Sequence, residues 1–171
     1  MNNWSKNKYL VIGSLALTLI FSGCLKPDEY PIEPVIEFKS LVQMGDSAQI
    51  SFTFTDGDGD IGLGETETDP PFDTSSKFYN NVFIRYFEKV NGTYVQGVSA
   101  LGDPVEFTYR TEKLTPSGKN KALKGTIIIY LVPIFYNPFS TDSDTIKYDI
   151  QIADRALHLS NIVETGEFVR N

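Results

Sequence analysis

Cysteine and histidine are almost missing: in 171 residues there is one of each, Cys24 and His158. A single cysteine excludes an internal disulfide framework, and a single histidine excludes a His-rich zinc site or a paired-histidine catalytic site. Positive charge is also short, with 15 basic residues against 22 acidic and a net charge of −7. That sign opposes binding to a phosphate backbone, so nucleic acid is not an expected partner. No window shows the apolar spacing of an amphipathic helix, and neither a Gly-x-Ser-x-Gly elbow nor a phosphate loop occurs. An enzyme would have to work with carboxylates, and among 22 acidic residues no spacing singles out a facing pair. The sequence therefore predicts a non-catalytic protein with no catalytic residue assigned. What is present is 41% hydrophobic and 13% aromatic, enough for one globular domain and short for two.

The first 23 residues predict a secretory signal. Lys6 and Lys8 make a positive start, and Leu10 to Phe21 make an apolar run too short for a membrane span of about 20 residues. Small residues Ser22 and Gly23 follow, and then the lone cysteine. Phe21-Ser22-Gly23-Cys24 resembles a bacterial lipobox, which implies cleavage before Cys24, acylation of its thiol and new amino terminus, and a stable lipid anchor. The alternative is a buried cysteine after an ordinary signal peptide. Loss of Lys6 and Lys8 would leave 13 basic residues against 22 acidic, a net of −9. Residues 24–34 read as a tether held extended by Pro27, Pro31 and Pro34. Within it, Lys26, Asp28 and Glu29 resemble the export signal of Bacteroidota lipoproteins, implying the outer membrane and exposure at the cell surface; a merely solvated tether is the alternative.

From residue 35 to 171 the dominant period is two, which predicts one all-β domain. Ile50, Phe52 and Phe54 alternate with Ser51, Thr53 and Thr55, as Ile146, Tyr148, Ile150 and Ile152 do with polar residues, so each run is a strand with one buried face. Val82 to Phe87 and Thr126 to Val132 are apolar on both faces, the pattern of central or well-covered strands. Asn91-Gly92 is a hairpin signal. Strands are expected near 35–42, 48–55, 80–90, 93–98, 105–112, 122–132, 145–153 and 161–169. Seven or eight short strands without crossover helices imply an antiparallel sandwich, with a small β-barrel as the alternative. An immunoglobulin-like or fibronectin-type sandwich is favoured by Tyr148, which stands where such folds carry a corner tyrosine. Asp154-Arg155-Ala156 with Ser160-Asn161 resembles a turn before the last strand of bacterial Ig-like domains, with Leu157 and His158 replacing its Gly and Asn.

Phe54-Thr55-Asp56-Gly57-Asp58-Gly59-Asp60-Ile61-Gly62 is the most distinctive segment. Three carboxylates separated by glycines can turn inward around one hard cation, and calcium is the natural guest. Asp56, Asp58 and Asp60 match positions 1, 3 and 5 of an EF-hand loop and Glu67 falls at position 12, but Ile61 replaces its required Gly and a strand precedes it. A true EF-hand is thereby excluded, leaving a calcium loop on a β scaffold or a plain Gly-Asp turn. In a sandwich the loops after the second and the penultimate strands share one end. Asp154 is then a candidate fourth ligand and Arg155 a candidate ion-pair partner; a capped turn with a surface pair is the alternative.

Residues 61 to 78 make a long acidic connection around Pro70-Pro71-Phe72, and 133–139 carries Phe135, Tyr136 and Phe139. Exposed, Tyr136 and Phe139 would suit a sugar or protein surface; alternatively Phe135 and Phe139 plug the edge of the sandwich. The Asp-Gly word, Leu114-Thr115-Pro116-x-Gly118, Lys121-Ala122-Leu123-Lys124-Gly125 and Asp154-Arg155-Ala156 together resemble a group of uncharacterised Bacteroidota lipoproteins. That resemblance implies placement in the envelope, a β-sandwich and a calcium site, and brings no activity with it. The expected function is an envelope lipoprotein that binds a protein partner or scaffolds an assembly; the alternative is a glycan-binding module of a nutrient-uptake system.

Overall fold

The computed structural model describes residues 29–116 and 119–170. Cys24 and the expected signal segment lie outside the described residues. The strands are β1 (Val35–Met44), β2 (Ser47–Asp56), β3 (Val82–Val90), β4 (Thr93–Gln96), β5 (Glu106–Tyr109), β6 (Leu123–Leu131), β7 (Thr145–Ile152), β8 (Val163–Glu164) and β9 (Phe168–Val169). One 3-10 turn, Lys77–Tyr79, precedes β3, and no α-helix occurs among the described residues. The alternating apolar side chains decide this: they can be buried on one face of a strand but not on one stripe of a helix.

Two antiparallel sheets result. The smaller has the order β1-β2-β6, and the larger has the order β4-β3-β7-β8 with β5 also on β3 and β9 also on β7. β4 pairs with residues 87–90 of β3 and β5 with residues 82–85, so the two share one row; β8 and β9 likewise share the outer edge of β7. The sheets are not closed into a barrel, and the result is a sandwich of seven strand rows. Ile50, Phe52 and Phe54 of β2 face Ile84 and Tyr86 of β3 and Ile146, Tyr148, Ile150 and Ile152 of β7 across one core. Asn161 joins the layers, accepting from the Ile36 amide at 2.8 Å and donating to the Ile36 carbonyl at 2.9 Å.

Two strand expectations change. The predicted strand at 161–169 is broken into β8 and β9, with Gly166 at φ +74° between them. The run 126–132 is not a central strand: β6 is an edge, and Ile128, Tyr130 and Val132 are exposed. Both-face apolarity came from coverage in β3, which has neighbours on both sides; in β6 nothing comparable covers the outer face.

Segment 133–139 splits in character. Phe135 is fully buried and meets Phe168 edge-on, whereas Phe139 is 80% exposed and plugs nothing. The Tyr148 hydroxyl donates to the Phe135 carbonyl, which ties the segment to the core.

Candidate metal centre

Asp56 continues the inward face of β2, two residues beyond Phe54, and is fully buried. Its Oδ1 accepts from the amides of Gly59 at 2.6 Å and Asp60 at 3.1 Å, folding the loop back over the strand end. Gly59 at φ +75° and Gly62 at φ +85° make that reversal possible. Both also lie against other backbone: a Cβ would sit 2.1 Å from the Lys121 carbonyl at Gly59 and 1.9 Å from the Glu112 carbonyl at Gly62. The glycines of the Asp-Gly word therefore serve close packing as well as turning.

The loop after β7 meets this turn. Ile61 forms a β-bridge with Asp154, the Arg155 amide donates to the Asp60 carbonyl at 3.2 Å, and the Ala156 amide donates to Asp60 Oδ2 at 3.0 Å. Asp154 is 2% exposed; its Oδ1 accepts from the His158 amide at 2.7 Å and its Oδ2 lies 2.8 Å from His158 Nδ1. The result brings one carboxylate oxygen each of Asp56, Asp60 and Asp154 within 4.8 Å of one another. Asp58 is exposed and is not one of the three, and among the described residues Arg155 does not pair with a carboxylate but donates to the Gly62 carbonyl at 3.3 Å.

Two oxygens in this cluster have no partner. Asp56 Oδ2 and Asp60 Oδ1 are buried and accept no hydrogen bond. An unpaired buried carboxylate oxygen is costly unless a proton or a cation satisfies it. Burial accordingly pushes the Asp56 carboxyl up to about 6, against the opposing pull of the Gly59 and Asp60 amides. Burial, then the negative charges of Asp154 and Asp58, raises Asp60 as well. The donors are all hard oxygens, so the residues fit a calcium- or magnesium-class ion and not a thiolate- or imidazole-seeking metal.

Other sequence candidates lie elsewhere. Glu67 does not enter the cluster: its carboxylate takes the Gly64 amide at 2.8 Å and pairs with Lys113. The Tyr136 ring lies under the Arg170 guanidinium, 3.7 Å from its centroid, and against Phe135 at 5.4 Å, so only Phe139 of the proposed pair presents a free ring. Sequence reasoning missed His158 as the group that orients Asp154; the signal was its place four residues after the aspartate, on the same turn. It also missed Arg110, which fixes the long acidic connection by donating to the carbonyls of Tyr79, Gly64 at 2.9 Å and Glu67 at 2.6 Å. No known protein family, curated protein or solved structure matches the chain.

Proposed function

We propose that the chain is a non-catalytic lipoprotein of the outer membrane, anchored through Cys24, whose Ig-like sandwich is stabilised by calcium and binds a protein partner. The observation that carries the calcium part is the pair of unpartnered buried oxygens on Asp56 and Asp60 beside Asp154. A divalent ion there replaces mutual repulsion with attraction. It would join the end of β2 to the loop after β7, and so one sheet to the other. Envelope placement rests on the Phe21-Ser22-Gly23-Cys24 word. Binding of a protein, in preference to a glycan, is supported by the loss of Tyr136 as a free stacking surface and by the exposed apolar residues of β6.

The test is a thermal melt of the purified protein in millimolar calcium and in chelator. An ion that binds only the folded state stabilises it by about 2.7 kcal/mol at a hundredfold excess over Kd. The expected result is a rise of several degrees in calcium, lost in Asp60→Ala and retained in Asp58→Ala. Equal melting temperatures with and without calcium would return the loop to a plain turn. Retention of a polysaccharide by the wild-type protein on a glycan array, abolished by Phe139→Ala, would replace the protein-binding reading with the glycan one.

A further inference from the structure

Natural sandwiches protect their edge strands, because a row of unpaired N–H and C=O groups recruits other strands. Most edges here are protected. β4 and β5 are four residues long and β8 and β9 two. β1 carries a register irregularity between Phe38 and Ser40, with Lys39 inside it and Glu37 beside it. β6 has one of these devices only at its start, the exposed Lys124. It pairs with β2 without a break over nine residues, and from Gly125 to Leu131 it holds no charge and no proline.

The free side of β6 can be identified. Outside its ladder with β2, no backbone bond involves residues 123–131 among the described residues. One side chain does reach it: the Tyr109 hydroxyl donates to the Tyr130 carbonyl at 3.1 Å, across the open side of the sandwich. In an antiparallel strand a residue's N–H and C=O point the same way and alternate with its neighbour's. Tyr130 therefore marks the outward set, and Thr126 and Ile128 belong to it. A cleft of about 350 Å³ is lined by Thr126 to Ile129 of β6 together with residues of the segment after β5, among them Arg110, Glu112 and Leu114, and the buried Phe54 and Ile61.

We infer that β6 is a strand acceptor: the cleft takes an extended segment of a partner protein, which pairs with Thr126 and Ile128 as an added row of the smaller sheet. This rests on the protein-binding reading above and names how the partner is held. Four lining residues span roughly 13 Å, so the seat is short. Alternate side chains of the guest fall beside Ile127 and Ile129 and must be apolar, while the others face water. Glu112 borders the cleft, exposed and without an ion pair among the described residues, and it calls for a basic residue at one end of the guest. A second copy of this chain is the poorer occupant: it is acidic, at −7, like the Glu112 that borders the cleft.

The experiment is amide exchange on the full-length protein in detergent, with the synthetic peptide acetyl-Lys-Thr-Val-Thr-Val-Thr-Lys-amide as probe. The expected result is at least tenfold slower exchange at Thr126 and Ile128, with Ile127 and Ile129 unchanged because the β2 ladder already protects them. Ile128→Pro removes an outward N–H and no ladder bond, and should abolish the effect. Should that variant not fold, Ile128→Lys, at a half-exposed position, should weaken the effect through the same edge. Slowing at neither amide, or equally at all four, overturns the acceptor. Protection that grows with protein concentration in the absence of probe overturns the choice of occupant in favour of a second copy. Cross-linking in native membranes separates this inference from its parent. A partner captured equally by wild type and Ile128→Pro leaves protein binding standing and overturns the edge, whereas probe protection without any captured partner leaves the edge standing and removes protein binding.

Discussion

Burial holds the Asp56 carboxyl at about 6, and the direction of that shift fixes how stability depends on pH. A carboxyl raised in the folded state favours folding while it is protonated. Its contribution is full below the unfolded value near 3.9 and is lost as pH rises through about 6. At neutral pH, without a cation, the ionised group costs the fold up to roughly 3 kcal/mol. Asp56→Asn keeps an oxygen for the Gly59 and Asp60 amides, removes the charge and replaces the unpartnered Asp56 oxygen with an NH₂. In chelator its melting temperature should match wild type below pH 4 and exceed it progressively up to pH 7, and calcium should no longer shift it. A variant less stable than wild type at every pH would contradict this account. Gly62 makes a different demand: at φ +85°, with a Cβ only 1.9 Å from the Glu112 carbonyl, Gly62→Ala must displace the segment that follows β5. A loss of about 2–4 kcal/mol is expected from denaturant unfolding. At this scale the acidic triplet was legible, but not which members turn inward. Asp56 follows the alternation of Ile50, Phe52 and Phe54 into the core; the reversal at Gly59, which sends Asp58 out and Asp60 back, depends on backbone from Glu112 and Lys121 that local spacing cannot reveal.

Segment 133–139 shows how an irregular element is held without a ladder of its own. Phe135 fills the space between Tyr136 and Phe168, and the buried Tyr148 hydroxyl satisfies its carbonyl. Tyr148→Phe leaves that carbonyl without its partner in a fully buried place, and should cost about 1–3 kcal/mol. Phe135→Ala opens a cavity and should cost about 3–5 kcal/mol. Phe135→Ala keeps that backbone carbonyl but opens space beside it in which water can satisfy it, so the double variant should cost less than the sum of the two, measured by equilibrium unfolding. The strands themselves were largely legible because alternation reports a buried face directly. β2 and β7 lie within two residues of their expected limits. Where the reading failed, alternation carries no such information. The runs 82–87 and 126–132 are both apolar on two faces, yet β3 has strands on either side and β6 has β2 alone. Sequence pattern shows that both faces of a strand are apolar, but not whether the outer face is covered or the edges are paired.

Across the whole molecule, the candidate metal centre lies where the chain enters the sandwich. A Cβ at Gly57 would stand 2.3 Å from the Tyr30 carbonyl, so the start of the described chain runs directly over the Asp-Gly loop. The loops after β2 and β7 meet at that end through the Ile61–Asp154 bridge, and the Asn91-Gly92 hairpin, at the other end of β3, points away. Between Cys24 and Tyr30 there are only five intervening residues, which at full stretch reach roughly 20 Å. An anchor at Cys24 therefore sets the acidic end of the sandwich toward the membrane and leaves the far hairpin outermost. Anchoring is also the condition on which this geometry depends. Cys24→Ser removes the thiol that would carry the lipid and changes no residue of the sandwich. The expected outcome is transfer of the protein from the membrane pellet to the soluble fraction, or retention as an unprocessed precursor, with the same melting temperature and the same calcium shift. A Cys24→Ser protein of mature length that still sediments with membranes would show that the lipid is not what holds it there.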